Sequence, residues 1–256
     1  MPFLFSETIF GPVRSRRLGI SLGVNLLPTS SKFCNFNCVY CECGWTAKGG
    51  VPRLPARQEV AHMLESKLRE MHTAGESLDV ITFAGNGEPT IHPQFPEVID
   101  DTLRIRDLYY PGARVVVLSN ATMLGHPGVM DALRRVDQAA LKLDSAIDHT
   151  MLAMDKPLQP LSVEKIVARL LDFGHEYTLQ TMFLRGEHEG QRIDNTQPEE
   201  VEAWLSVVER LRPRDVMVYT IDRATPAEGL QKVPIAELED IGRRVEALGI
   251  SVQVRG

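Results

Sequence analysis

Residues 32–44 read K-F-C-N-F-N-C-V-Y-C-E-C-G, and all four cysteines of the 256-residue chain, Cys34, Cys38, Cys41 and Cys43, fall inside this stretch. The first three are spaced C-x3-C-x2-C, with Tyr40 just before the third. Three thiolates on so short a loop can grip three corners of one compact iron–sulfur cube, because the chain can wrap around it. The fourth corner is then left to something outside the triplet. An iron with an open position binds and activates a small molecule, whereas a cluster closed by four cysteines mainly moves electrons. The spacing therefore makes Cys34, Cys38 and Cys41 the candidate metal ligands. Cys43, two residues past Cys41, is badly placed to span the cube and is read as a non-ligand, substrate-facing or buried.

Two other readings of clustered cysteines stand beside this one. A structural zinc is the first, although zinc ribbons usually separate two C-x2-C pairs by a dozen or more residues. Disulfides are the second, but Cys41 and Cys43 are too close for an easy bridge and nothing else suggests an oxidising compartment.

Composition bounds the rest. A chain of 256 residues suffices for one sizeable core, and α/β barrel domains commonly have this length. Hydrophobic residues make up 43% and charged ones 24%, as in ordinary soluble domains. No apolar run is long enough to span a bilayer, and the first residues lack the basic start and apolar stretch of a signal peptide. The expectation is a cytoplasmic protein of one domain, residues 1–256, with no membrane partner. The formal net charge of -6 argues against broad charge-driven binding to nucleic acid. Two local basic patches remain, Arg14, Arg16 and Arg17 before the cysteine loop, and Arg134 with Arg135, the latter read as solvated surface.

Taken in order, residues 1–19 read as a looped lead-in broken by Gly11-Pro12. A first strand runs from Ile20 to Leu27, stopped by Pro28, so the cysteine loop follows a strand's carboxyl end; Gly49-Gly50 and Pro52 and Pro55 close it. Apolar residues at helical spacing (Val60, Met63, Leu64, Leu68, Met71) predict a helix over 57–71. Strands are predicted over 79–84, 113–118, 139–143, 178–184, 215–221 and 250–254. Helices are predicted over 93–105, 129–135, 162–173, 198–211 and 235–248, with Pro198 in a first turn. Residues 185–196 read as a polar, turn-rich stretch in which Glu187 and His188 are solvated. About six β/α units with one appended strand and short connections imply a parallel sheet.

Chemistry in such α/β architectures gathers at the carboxyl ends of strands. The candidate residues sit there: the cysteine loop, Gly85-Asn86-Gly87-Glu88-Pro89, Asn120 after Ser119, Asp144-Ser145, and the turn after Leu184. Glycines in the second of these let backbone groups approach a ligand closely. A plain glycine-rich turn is the bland alternative, as turn formation is for the lone polar residues.

The cysteine triplet with its aromatic resembles the signature of the radical S-adenosylmethionine (radical SAM) superfamily. The wider context, G-P-V-R-S-R-R-L-G-I-S-L-G-V-N-L-L-P followed by C-N-F-N-C-V-Y-C-E-C-G, resembles a group of small iron–sulfur oxidoreductases related to the wyosine-base synthetases that modify transfer RNA. The resemblance implies a partial (β/α)6 TIM-like barrel with parallel strands, a [4Fe-4S] cluster and S-adenosylmethionine as cofactors, and an electron donor such as flavodoxin or ferredoxin. It implies reductive cleavage of S-adenosylmethionine to a 5′-deoxyadenosyl radical that abstracts hydrogen from a small-molecule or transfer-RNA nucleoside substrate.

The resemblance also distributes roles. Gly85, Asn86, Gly87 and Glu88 match the motif that binds the methionine amino group, with Asn86 standing where a glycine is common. Asn120, Asp144 and Ser145 would orient the ribose and carboxylate, Gln180 would face the same cavity, and Tyr40 would pack beside the adenine, against the reading of an ordinary core aromatic. Lys142, on a strand, has two readings: an inward amine for a Schiff base or acid–base work, as a wyosine-type enzyme needs, or a lysine at the rim. Tyr219, Asp222 and Arg223 are expected at the substrate end of the site, against the reading of a capped strand with a surface ion pair. Two alternatives stay open: a glycyl-radical-enzyme activase, and a zinc-stabilised protein without catalysis.

Overall fold

The protein is described by a computed structural model covering residues 3–15, 19–47, 49 and 52–256. Arg16, Arg17 and Gly50, singled out above, lie outside the described residues.

The chain runs β1 (Ile9–Ser15), β2 (Gly19–Val24), α1 (Arg57–Thr73), β3 (Val80–Phe83), α2 (Phe95–Tyr109), β4 (Arg114–Ser119), α3 (Val129–Arg135), β5 (Gln138–Lys142), α4 (Asp148–Asp155), α5 (Val163–Phe173), β6 (Thr178–His188), β7 (Gln191–Asp194), α6 (Pro198–Leu211), β8 (Asp215–Thr220), β9 (Gln231–Lys232), α7 (Ile235–Ala247) and β10 (Ser251–Arg255). The sheet order is β1-β2-β3-β4-β5-β6-β8-β10, and it does not return on itself. Every neighbouring pair from β2 to β10 is parallel; only β1 on β2, and β7 and β9 on β6, are antiparallel. This is a partial TIM-like barrel of six β/α strands extended by β10.

Side chains alternate along the strands, as the pleat requires. The outward set (Leu22, Val24, Ile81, Phe83, Val115, Val117, Leu141, Leu179, Val218) is large and apolar and packs on the helices. Helix α5 shows the matching stripe, Val163, Ile166, Val167, Leu170 and Phe173, with the Ser162 hydroxyl accepting from the Lys165 N–H at its start. The inward set (Ser21, Gly23, Thr82, Ala140) is small or polar and leaves the barrel hollow.

The structure differs from the sequence reading in three places. Residues 9–15 form strand β1 rather than a loop: its register shifts between Phe10 and Val13, so Gly11 and Pro12 sit where the ladder is interrupted. Residues 185–194 continue β6 into a hairpin with β7, turned at Glu189-Gly190, both at positive φ. Helix α4, between Ser145 and Lys156, has no counterpart in the prediction. Of the basic patches, Arg134 and Arg135 pair with Asp131 at 3.7 Å and Asp100 at 2.8 Å.

Candidate functional site

The cysteine loop leaves β2 at Asn25, whose fully buried carboxamide oxygen accepts from the N–H groups of Leu27 and Asn86. It is then stitched down on three sides. Phe33 donates to the Asn86 carbonyl at 2.8 Å and accepts from the Glu88 N–H at 3.3 Å, a one-residue parallel bridge to Gly87. Asn37 and Val39 donate to the carbonyls of Asp155 and Met154 at the end of α4, at 3.0 and 2.9 Å. Phe3 donates to Glu42, and Ala227 to Val39. The loop is held by backbone bonds to β3, α4 and both flanks of the barrel mouth.

All four cysteines are free thiols. Burial pushes Cys34 up to about 12 and holds Cys38 well above the ordinary thiol range. Cys41 is drawn down to about 6, chiefly by the hydrogen bond from the Cys43 thiol and then by Lys32; Cys43 is raised by the same bond. Cys43 also lies 3.5 Å from the Gly85 carbonyl. Beside these thiols Lys32 is 3% exposed, its ammonium donating to the Gly44 carbonyl at 3.0 Å. Among the described residues no carboxylate pairs with it. A buried ammonium in that position calls for negative charge from its neighbours, and thiolates, the form in which cysteines bind iron, supply it. Among the described residues no three His, Cys, Asp or Glu side chains converge on a single-ion position, whereas a cube takes its thiolates at separate corners. The donor set fits the cluster.

The glycine motif presents backbone at its glycines and ties its polar side chains into the fold. Asn86 is wholly buried, its carboxamide bonded to Phe5 in both directions and to the Pro28 carbonyl. The Glu88 carboxylate accepts from Thr90 and, at 2.6 Å, from the Asn120 N–H; burial raises its proton affinity above the ordinary carboxylate range. Gly85 and Gly87, only partly buried, present backbone instead of side chain. Asn120 points its amide at Asn35 (2.7 Å) and, at 3.9 Å, at the Cys34 sulfur.

Tyr40, Lys142 and Asp144 meet in one knot. The Lys142 ammonium contacts the Tyr40 hydroxyl and the Asp144 carboxylate, and lies 2.7 Å from Asp155 of α4. The Tyr40 hydroxyl donates to Asp144, and Asp144 also accepts from the Met182 N–H. Burial alone would lower Lys142, but Asp144 and Asp155 hold it well above the ordinary lysine range. Lys142 is thus buried between two carboxylates rather than exposed at a rim. Tyr40 is likewise fixed through its hydroxyl in this knot. Ser145 is absorbed by structure, bonded to Glu200 at 2.7 Å and to Ile147, and Gln180 clamps the Ala140 carbonyl at 3.0 Å.

Two cavities open beside the loop. The first, about 300 Å³, is lined by Tyr40, Cys41, Glu42, Met182, Tyr219, Asp222 and Arg223 among others, so the predicted substrate-end residues do meet the cysteine loop. The second, about 540 Å³, is the barrel hollow, walled by Ser21, Gly23, Thr82, Ala84 and Ala140 and flanked by Phe3, Phe5, Phe10 and Arg14. Glu42 and Arg223 line both and form an ion pair at 2.7 Å. Sequence reasoning missed Lys32, Asn25, Glu42 and Asp155. Lys32 stands inside the quoted stretch, and Asp155 ends the apolar run M-L-A-M-D; the other two carry no pattern.

Residues 29–197 match the family model described as Radical SAM superfamily. The chain belongs to the radical SAM superfamily. Enzymes of this superfamily use a [4Fe-4S] cluster and S-adenosylmethionine, and membership supports cleavage of that molecule by a radical mechanism; it leaves no place for a zinc-stabilised protein without catalysis. Among relatives, a "GTPase Obg" of Brachyspira hyodysenteriae is 27% identical over 250 residues, 95% of this chain and 34% of its own length. A "UPF0026 protein" of Helicobacter pylori is 34% identical over 169 residues, 66% of this chain and 52% of its own. The chain thus spans about a third of one and half of the other. A radical SAM methyltransferase from Sphaerobacter thermophilus superposes with a TM-score of 0.67 at 17% identity, covering 92% of this chain and 65% of that one, which shows the shared fold. No helix among the described residues is long and apolar enough to cross a membrane.

Proposed function

We propose that this radical SAM enzyme holds its cluster through Cys34, Cys38 and Cys41, cleaves S-adenosylmethionine reductively, and directs the 5′-deoxyadenosyl radical at a small-molecule or RNA-nucleoside substrate. The bound cluster supplies the electron and an iron open to S-adenosylmethionine; this chain's residues supply placement. The observation that carries the reading is the Phe33–Gly87 bridge, which fastens the cysteine loop to the glycine motif at the strand ends. The partly exposed backbone of Gly85 and Gly87 would receive the amino group, and the Asn120 carboxamide, 3.9 Å from the Cys34 sulfur, would meet the carboxylate.

Substrate belongs in the cavity of Tyr219, Asp222 and Arg223, which begins at Cys41 and adjoins the barrel hollow through Glu42 and Arg223. A low-potential protein such as flavodoxin or ferredoxin is the donor. The test is 5′-deoxyadenosine formation by the reconstituted protein with bulk transfer RNA or with a metabolite extract. One pool raising turnover, and Arg223→Ala losing that rise while keeping the unstimulated rate, supports the assignment; an unchanged rise in Arg223→Ala overturns it.

A further inference from the structure

We propose that Lys32 is a positioning residue for the electron step: its buried ammonium compensates the charge of the Cys34, Cys38 and Cys41 thiolates and raises the potential at which a cluster bound to them is reduced. The inference rests on the cluster reading above. Lysine is almost never fully buried unless paired, yet Lys32 is 3% exposed. The other lysine buried among the described residues, Lys142, has Asp144 and Asp155 against it. Lys32 has no such partner among the described residues; its hydrogen bond goes to the Gly44 carbonyl at 3.0 Å.

The turn that presents that carbonyl is built for it. Gly44 sits at φ +78, where side chains are strained, and its N–H is tied to the Cys41 carbonyl at 2.9 Å. The ammonium is thereby held by the same turn that closes the cysteine triplet.

The step at issue is a one-electron transfer from a low-potential donor; no bond is made or broken, and Lys32 keeps its proton. The added electron increases negative charge beside a fixed cation out of water, so the cation stabilises the reduced state more than the oxidised one.

The test compares wild type, Lys32→Met and Lys32→Arg after anaerobic reconstitution with iron and sulfide, reading iron content, thermal unfolding and the reduction midpoint by spectroelectrochemical titration. Methionine keeps an unbranched chain without charge; arginine keeps the charge and a donor. Lys32→Arg is expected to hold iron and a near-wild-type midpoint. Lys32→Met is expected to lose about tenfold or more in the equilibrium for reduction, a negative shift of about 59 mV per tenfold for one electron. Loss of cluster in Lys32→Met with retention in Lys32→Arg also supports compensation by charge. An unshifted midpoint in Lys32→Met, equal shifts in both variants, or loss of the cluster from both overturns the proposal. Wild type that folds and takes up no iron contradicts the cluster reading itself, and the proposal with it.

Discussion

Gly87 lies so close to Phe33 that a Cβ added to it would come within 1.9 Å of the Phe33 carbonyl oxygen. Its φ of +144 disfavours any side chain as well. The contact joins the residue before the first cysteine to the glycine motif on the next strand, and the site depends on it.

Gly87→Ala must therefore push the cysteine loop away from β3, because the clash is with backbone rather than with a side chain that can swing aside. The strained backbone alone costs about 1–3 kcal/mol. We expect a melting temperature lower by at least about 2–4 °C for a chain of this size, and reduced iron uptake, measured by thermal denaturation and iron assay.

Alanine at Cys34, Cys38 or Cys41 is expected to abolish cluster binding, while Cys43→Ala retains it. The Cys43 thiol donates to the Gly85 carbonyl at 3.5 Å. Iron and sulfide analysis of the reconstituted variants decides; loss of iron in Cys43→Ala would show a fourth protein ligand.

Lys142→Met leaves Asp144 and Asp155 buried without their cation. Removing one partner of a buried ion pair costs on the order of 3–5 kcal/mol, so the variant should unfold at markedly lower temperature, and a double change with Asp155→Asn should recover part of the loss.

The same knot gives a pH signature. Burial raises Asp155 from 3.8 to about 7, against the opposing pull of Lys142. A carboxyl that binds its proton more tightly when folded adds stability that is full below its ordinary value and lost as pH rises through the folded one. Stability of the cluster-free protein should thus fall between about pH 4 and pH 7, by at most about 1.4 kcal/mol per unit for one proton. Denaturant melts of Asp155→Asn over that range should be flatter than those of wild type.

The barrel was legible because its strands are apolar runs bounded by turn signals and its helices carry clean stripes, as in α5. The cysteine triplet was legible because ligand spacing is a local property. What stayed hidden is long-range. Asn86 looked like a substitute for glycine because its partners, Phe5 and Pro28, lie 81 and 58 residues away. The ion pairs of Lys142 stayed hidden because Asp155 reaches it from a short helix with little periodicity, and β1 looked like a loop because Gly11-Pro12 hides a strand whose ladder is interrupted there.

The most direct measurement is anaerobic. The reconstituted protein is mixed with dithionite and S-adenosylmethionine, and 5′-deoxyadenosine is sought by liquid chromatography. We predict that it forms, and that it is absent from Cys34→Ala, Cys38→Ala and Cys41→Ala. A protein with full iron and a reducible cluster that yields no 5′-deoxyadenosine, and whose spectrum does not respond to S-adenosylmethionine, would contradict an open iron held by three cysteines.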